Sequence, residues 1–385
     1  MKENRKIAIL LSVICAVLSS CIDTFDARIP NNVSNLLVVN GNIISDSTVV
    51  ISLSKTFTIN REEPPLGYNT MDAEVRVVGS DDTSIEGVAM GEGQYKIQIG
   101  QLNQSTQYSL EIVYEGNKYT SQPQYPIKST TIDDLTFEQP EDYGDIYICA
   151  STQDTETTEP LYYLWSYIED WEVRTAYYSR WVYVFDEDTI YTYDKPPYAQ
   201  GWTHHISDKT MLGSTESNIT NQLKNKRIYS IKSNDIRVSY YYSTLLTQRN
   251  ISKGEFEYYQ CKLKQNEEMG GLFTPQPSEL PTNITCDNSE KQVIGYVGVN
   301  MNVSQRRLYI STDDIQYQNT LKCWAIKGNK LNRDMAEQGL RIAYYIEGPG
   351  MSAGYYWAPI ACCDCRALGG TPNKPSFWPL PDREN

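Results

Sequence analysis

Residues 100–110 read GQLNQSTQYSL, and the whole fold class is visible from this short stretch. Leu102 precedes a polar turn, Asn103 to Gln107, and Tyr108 opens a run in which apolar side chains fall on every second position, at Tyr108, Leu110 and Ile112. Such alternation marks a strand with one face in a core and the other in water. A tyrosine at the head of such a strand can send its hydroxyl back to the backbone of the preceding turn and so pin the corner. The same period runs upstream through Val49, Ile51 and Leu53 and through Tyr95, Ile97 and Ile99. Turn signals separate the runs at Asn40-Gly41, Gly79 to Asp82, Gly91-Glu92-Gly93 and Glu115-Gly116-Asn117.

The corner segment resembles that of fibronectin type III and related sandwiches. The chain is therefore expected to be mainly β: an immunoglobulin/fibronectin-III-like β-sandwich over residues 35–130, then a larger β-rich domain over 131–385 with one or two short helices. A linker from Gln122 to Thr131 holds two prolines and separates the two. Beyond it the strands lengthen and gain aromatics, as in LYYLWSYIEDWEV at 161–173, where Trp165 and Trp171 read as core residues of a wide sheet. Asp194 to Arg227 is polar and reads as a long excursion. Ser252-Lys-Gly-Glu255 fits a capping box, with Phe256, Tyr259 and Leu263 at helical spacing behind it, and a second short helix is expected over 332–339.

The N-terminus reads MKENRKIAILLSVICAVLSSC: a basic start, an apolar run from Ile7 to Leu18, and then Leu18-Ser19-Ser20-Cys21. The run is too short for a transmembrane helix and reads as a secretory signal over 1–20. Leu18-Ser19-Ser20-Cys21 resembles a bacterial lipobox, which makes Cys21 the lipidated first residue of the mature chain and 21–34 its tether. Asp23 and Asp26 follow, resembling the export signal of surface lipoproteins in Bacteroidota. The expected location is the outer membrane, held by lipid, at the cell surface or on the periplasmic face. With 48 acidic against 34 basic residues and a formal net charge of −14, the chain repels phosphate backbones, so no nucleic-acid partner is expected.

Three segments carry a family resemblance: EFEYYQCKLKQNEEMGGLFTPQPSELPTNITC at 255–286, VIGYVGV at 293–299 and CDCRALGGTPNKPSFWP at 363–379. Together with the strand around Trp165 and the lipobox, they resemble the Bacteroidota outer-membrane lipoprotein family called domain of unknown function 4249 (DUF4249). Members are often encoded beside TonB-dependent outer-membrane receptors. The resemblance thus implies a receptor barrel as partner and an accessory role in substrate capture, with no established activity.

Leaving aside Cys15 and Cys21, seven of the nine cysteines remain, in an oxidising compartment where disulfides are the default. Cys261 and Cys286 are placed to close a loop, worth about 3 kcal/mol through restriction of the unfolded chain. Cys362 and Cys365 match the family's C-x-D-C pair, which implies a bridge between them. Cys363 departs from that pattern, and a bond from Cys323 to one of the cluster stands equally open. A redox role would need a helix after C-x-x-C, whereas Gly369-Gly370-Thr371-Pro372 follows here. A zinc site lacks donors beyond the adjacent His204 and His205, whose rings in a strand face opposite ways, so no metal and no cofactor is expected. Those two are the only histidines and neither sits in a nucleophile elbow, so no catalytic residue is assigned. Glu169, Asp170, Glu172, Asp186, Glu187 and Asp188 lie near aromatics, as chance allows in so acidic a chain, and read as solvated strand edges and loops.

The stretch from Tyr162 to Trp202 is the best candidate for binding, with Trp181, Tyr193, Tyr198 and Trp202 as the binding aromatics, because exposed rings suit sugars or protein partners. The expected function is a non-catalytic surface lipoprotein partnering a TonB-dependent transporter; the alternative is a stand-alone glycan- or peptide-binding, adhesin-like module. Acyl chains supply the membrane affinity of such an anchor. Cys21→Ala should therefore leave an unprocessed or soluble protein, read by outer-membrane fractionation and acyl labelling; a variant that still fractionates with the membrane would refute the lipobox assignment.

Overall fold

A computed structural model describes residues 36–56, 71–268, 280–328, 332–349 and 351–380. The signal, the tether and Cys21 lie outside these residues. Two five-stranded sheets form the first unit. One contains Leu37–Asn40, Ser47–Lys55, Gln94–Ile99 and Val88–Gly91; the other contains Asn117–Ser121, Tyr108–Tyr114, Ala73–Gly79 and Ser84–Glu86. Their alternating apolar positions, including Ile51, Leu53, Val75, Val77, Ile97, Leu110 and Ile112, share one core. Tyr108 is buried, and its hydroxyl accepts a hydrogen bond from the Asn103 backbone N–H at 2.9 Å, as the corner segment led one to expect.

The fifth strand of each sheet comes from far along the chain. Ile284–Cys286 pairs antiparallel with Tyr119 to Ser121, and Val293–Gly295 pairs parallel with Leu37 to Val39. The sandwich is therefore not confined to residues 35–130. A parallel pair cannot be joined by a hairpin, so its second strand must arrive from elsewhere, and no local pattern announces it. Gly295 is required at that seam: with φ at +144°, a Cβ there would stand 2.3 Å from the Val39 carbonyl oxygen.

The second unit is a sandwich of a five-stranded and a three-stranded sheet. Gln200–Ile206, Tyr162–Arg174, Tyr241–Ile251 and Ser304–Ser311 form one sheet, with Met211–Ser214 continuing beside the start of the long strand. Asp134–Glu138, Ile146–Gln153 and Gln222–Ile231 form the facing sheet. Tyr163, Trp165, Tyr242, Leu246, Ile146 and Ile148 fill the space between. Trp165 is a core residue as expected, its Nε1–H donating to Gln248 Oε1 at 2.9 Å; Trp171 is half-buried against the same cluster. The polar stretch expected as an excursion supplies three of these strands. Its first, Gln200–Ile206, escaped detection because its polar side chains answer polar partners on the neighbouring strand instead of an apolar core.

A third, smaller unit joins the hairpin Trp181–Val184 and Thr189–Thr192 to a three-stranded sheet of Ile326–Lys327, Gly354–Pro359 and Leu340–Ile346. Tyr183, Met335, Leu340, Ile342 and Trp357 form its core, with the helix Asn332–Glu337 alongside. Among the described residues no helix is long and apolar enough to cross a membrane.

The helix Lys253–Glu268 begins with half of the expected capping box, the Glu255 N–H donating to Ser252 Oγ at 3.1 Å. The Glu255 carboxylate is diverted to Arg249, 2.7 Å away, and Arg249 also donates to Asn300 Oδ1 at 2.7 Å. All three side chains are buried where the first two units meet. Removing one member of such a pair strands a charge out of water. Glu255→Ala should therefore cost about 3–5 kcal/mol, seen as a lower urea midpoint, and pairing it with Arg249→Met should recover part of that loss.

Candidate functional site

The long strand Tyr162–Arg174 is paired along its length on both sides, by Gln200–Ile206 and Met211–Ser214 on one and Tyr241–Ile251 on the other. A strand so enclosed has no solvated edge, and this corrects the expectation for three of the acidic residues: Glu169, Asp170 and Glu172 are all buried. Asp186, Glu187 and Asp188, at the hairpin tip, are exposed as expected. A buried carboxylate is costly unless donors surround it. Each of the three recruits its own.

Tyr163, Trp165 and Tyr167 put one face of the strand into the core, and Glu169 is next on that face. Its Oε1 accepts from Arg237 Nη1 and from the Tyr242 hydroxyl, both at 2.7 Å, and its Oε2 lies 3.1 Å from His205 Nδ1. Tyr242 is linked onward to the Tyr229 hydroxyl at 2.9 Å, and the Tyr229 ring stacks on Tyr167 with centroids 3.9 Å apart. Burial pushes the Tyr242 and Tyr229 phenols well up, which keeps both neutral. Burial by itself would lower the Arg237 guanidinium, but the Asp235 and Glu169 carboxylates outweigh it and hold the group firmly charged.

On the opposite face, Asp170 Oδ1 lies 2.7 Å from His204 Nδ1, and its Oδ2 accepts from Arg307 at 3.3 Å. Glu172 Oε1 accepts from Arg174 at 2.6 Å and Gln200 at 2.7 Å, and its Oε2 from the Trp378 indole N–H at 3.0 Å. The two histidines thus face opposite sides of the sheet, each on its own carboxylate. Among the described residues no group of three His, Cys, Asp or Glu is placed to hold a metal ion. What the arrangement does chemically is bind its own chain: each carboxylate draws in a cation or N–H from a distant segment.

The C-terminal residues supply one such segment. Thr371 pairs with Trp202 through two backbone hydrogen bonds of 2.8 Å, extending the sheet. Gly370 and Gly201 meet so closely that a Cβ on Gly201 would stand 3.1 Å from the Gly370 backbone. Phe377 then lies under the Arg307 guanidinium, 3.7 Å from ring centroid to carbon, and Trp378 stands edge-on to Tyr241. The sequence PSFWP is thus a strap over the buried carboxylates, a role its composition does not announce.

The aromatic candidates do not form one platform. Trp202 is buried beside the strap; Trp181 is half-buried against Tyr345 and Tyr355; Tyr198 lies under the Arg366 guanidinium at 3.5 Å. Tyr193 alone of the four is exposed. Of the cysteine pairings left open, the one from Cys323 to the C-terminal cluster is formed, and the Cys261–Cys286 and Cys362–Cys365 bonds are not. Cys323 is bonded to Cys362, with Cα atoms 5.7 Å apart. Cys365 is a separate thiol that donates to the Gln200 carbonyl at 3.2 Å, because the tight turns at 360–362 and 365–368 send it under the strand Gln200–Ile206 while Cys362 faces Cys323. Cys261 and Cys286 are unbonded, the first on the helix Lys253–Glu268 and the second at the edge of the sandwich beside Asp287. Burial pushes the Cys363 and Cys365 thiols up to about 12 and about 11.

The sequence profile of the family described as "Domain of unknown function (DUF4249)" matches residues 22–307, ending before the disulfide and the strap. No curated protein matches. Among solved structures, a DUF4785 family protein from Legionella pneumophila is similar at 10% identity and a TM-score of 0.19, covering 55% of this chain and 52% of that one. The adhesin InvE of Yersinia pseudotuberculosis is similar at 14% identity and a TM-score of 0.16, covering 56% of this chain and 55% of that one. The chain thus spans about half the length of each, and likeness this slight transfers neither fold nor function.

The disulfide and the strap are directly testable. The 39-residue separation of Cys323 and Cys362 makes their bond worth about 4 kcal/mol. Peptide mapping without reduction should join these two, while Cys363 and Cys365 resist alkylation at pH 8 until the chain unfolds. A Cys362–Cys365 peptide would refute the assignment. Trp378→Phe removes the indole donor from buried Glu172 and should cost about 1–3 kcal/mol in thermal unfolding.

Proposed function

The chain belongs to the DUF4249 family, and from that premise we propose that it is a non-catalytic, lipid-anchored outer-membrane protein that acts through protein contacts, as an accessory partner of a TonB-dependent transporter. The observation that best supports this reading is the way the candidate site spends its charges. Glu169, Asp170 and Glu172, the most deeply placed acidic groups of the central sheet, are each engaged by residues of the same chain. Groups paired in this way stiffen a scaffold and leave recognition to the outside of the molecule. The chain as a whole has a formal net charge of −14, and its exposed side chains include Tyr143, Tyr191, Tyr193 and Tyr345. Tyrosines are enriched at protein interfaces, where they bring contact area at low entropic cost. On this reading a lipid on Cys21, supported by the lipobox resemblance of Leu18-Ser19-Ser20-Cys21, would hold such a surface at the membrane, where a receptor barrel would meet it.

A tagged full-length chain, recovered from detergent-solubilised outer membrane of cells that make it, should bring with it a barrel that mass spectrometry identifies as a TonB-dependent receptor. Recovery of no barrel, under conditions where an established surface complex stays intact, would refute the partnership. Saturable binding on a glycan array in that case would favour the stand-alone module.

A further inference from the structure

Building on that reading of the chain as a partner-binding protein, we propose that the outer face and tip of the hairpin Trp181–Thr192 are its docking element, for a protein partner that presents basic side chains around an apolar centre. The register pairs Trp181 with Thr192, Val182 with Tyr191, Tyr183 with Ile190 and Val184 with Thr189. Trp181, Tyr183 and Ile190 belong to the core that also holds Met335, Leu340, Ile342 and Trp357, so this face anchors the hairpin to the third unit. Side chains alternate across a strand, so the opposite face carries half-buried Val182 and Val184 with Thr189 and Tyr191, and Tyr193 continues it beside Arg180, whose Nε donates to the Tyr193 carbonyl at 2.9 Å. Tyr191 and Tyr193 are 43% and 41% exposed.

A two-stranded ribbon needs only one apolar face to stay attached, and the water-facing side of such a sheet is ordinarily polar. A second face of valine and tyrosine is surplus to folding, and surplus apolar surface rimmed by charge marks an interaction site. The rim here is the turn Asp186-Glu187-Asp188, exposed throughout. Its shape is set by its own phenols: Glu187 accepts from the Tyr191 hydroxyl, and Asp188 accepts from Tyr183 at 2.6 Å. Arg333 sits over the Phe185 ring at 4.4 Å and against Glu337 at 3.8 Å, so the charge it brings near the tip is shared with Glu337, and the carboxylates of the turn keep accepting capacity beyond their own phenols. A fixed acidic tip beside an apolar aromatic strip is complementary to a basic-rimmed apolar patch and repels an acidic one. The hairpin is also held in place before binding, so docking need not spend free energy on ordering it.

The experiment uses the full-length lipidated chain in cells that make it, with a benzoylphenylalanine photocrosslinker in place of Tyr191 and, in a second strain, in place of Val88, which is 68% exposed on the edge of the first sandwich. Irradiation should yield an adduct from position 191, and not from 88, whose peptides belong to a TonB-dependent receptor. Asp186→Lys with Glu187→Lys should lower its yield about tenfold or more, since it sets like charges against a basic-rimmed partner. Tyr193→Ala, at an exposed position, should lower the yield likewise with an unchanged melting temperature, which keeps the test valid if the charge reversal disturbs folding. An adduct with a second copy of this chain, no adduct at 191, or an adduct indifferent to both variants would overturn the proposal. A receptor crosslinked from Val88 alone would overturn the docking site and leave the transporter partnership standing. No receptor at either position, together with no receptor in the pull-down, would remove both.

Discussion

The central constraint is the row of carboxylates on the strand Tyr162–Arg174. Glu169, Asp170 and Glu172 project from the faces of the central sheet, where the side chains packed over them leave them buried and water scarcely reaches them. Left alone, each would cost several kcal/mol or give up its charge. The fold meets this cost by routing a donor to each. Arg237 comes from the turn before Tyr241–Ile251, Arg307 from the next strand of the sheet, and Trp378 from the end of the described chain. Segments far apart in sequence are thereby fixed to one another at particular atoms. Apolar packing at Trp165 and Tyr242 supplies the bulk of the burial but is tolerant of small shifts; charge-assisted hydrogen bonds at 2.6–3.3 Å are not.

The same device recurs where the first two units join. Arg249, Glu255 and Asn300 bring a strand, the start of a helix and the returning segment of the sandwich to one buried point. Gly298 leaves room for it, since a Cβ there would stand 2.3 Å from Glu255 Oε2. With the strands Ile284–Cys286 and Val293–Gly295 crossing back into the first unit, the two sandwiches are connected by several strands of chain and by a satisfied ionic network. A molecule built this way has a stiff interior, and in its third unit, tied by the Cys323–Cys362 bond, one face of the hairpin Trp181–Thr192 is packed into the local core.

How far sequence reasoning reached can be judged residue by residue. The alternation around Tyr108 disclosed both a strand and the hydrogen bond that its hydroxyl makes, because a turn and the strand after it are local in sequence and their geometry follows from a few adjacent dihedrals. Trp165 was legible as core for the same reason. Asp186, Glu187 and Asp188 were legible as solvent-exposed, being next to one another in a turn. Gln200–Ile206 was not legible as a strand: its polar residues obscure the period-two signal, and they make sense only beside Glu169, Asp170 and Glu172.

By itself the sequence determined the class of structure: mainly β, with an N-terminal sandwich, one helix with a capped start, and adjacent histidines on opposite faces. These rest on spacing, which one chain carries in full. Tertiary structure alone decided which thiols meet, which aromatics stay outside and which acids are buried. Cys362 and Cys365 are three positions apart and looked like partners, but a tight turn separates them and brings Cys323 to Cys362 across 39 residues. Trp202 and Tyr193 read alike in the sequence; one lies under the C-terminal strap and the other faces water. The physical reason is common to all three. Burial and pairing are set by what arrives from elsewhere in the chain, and a residue's own neighbours in sequence do not carry that information.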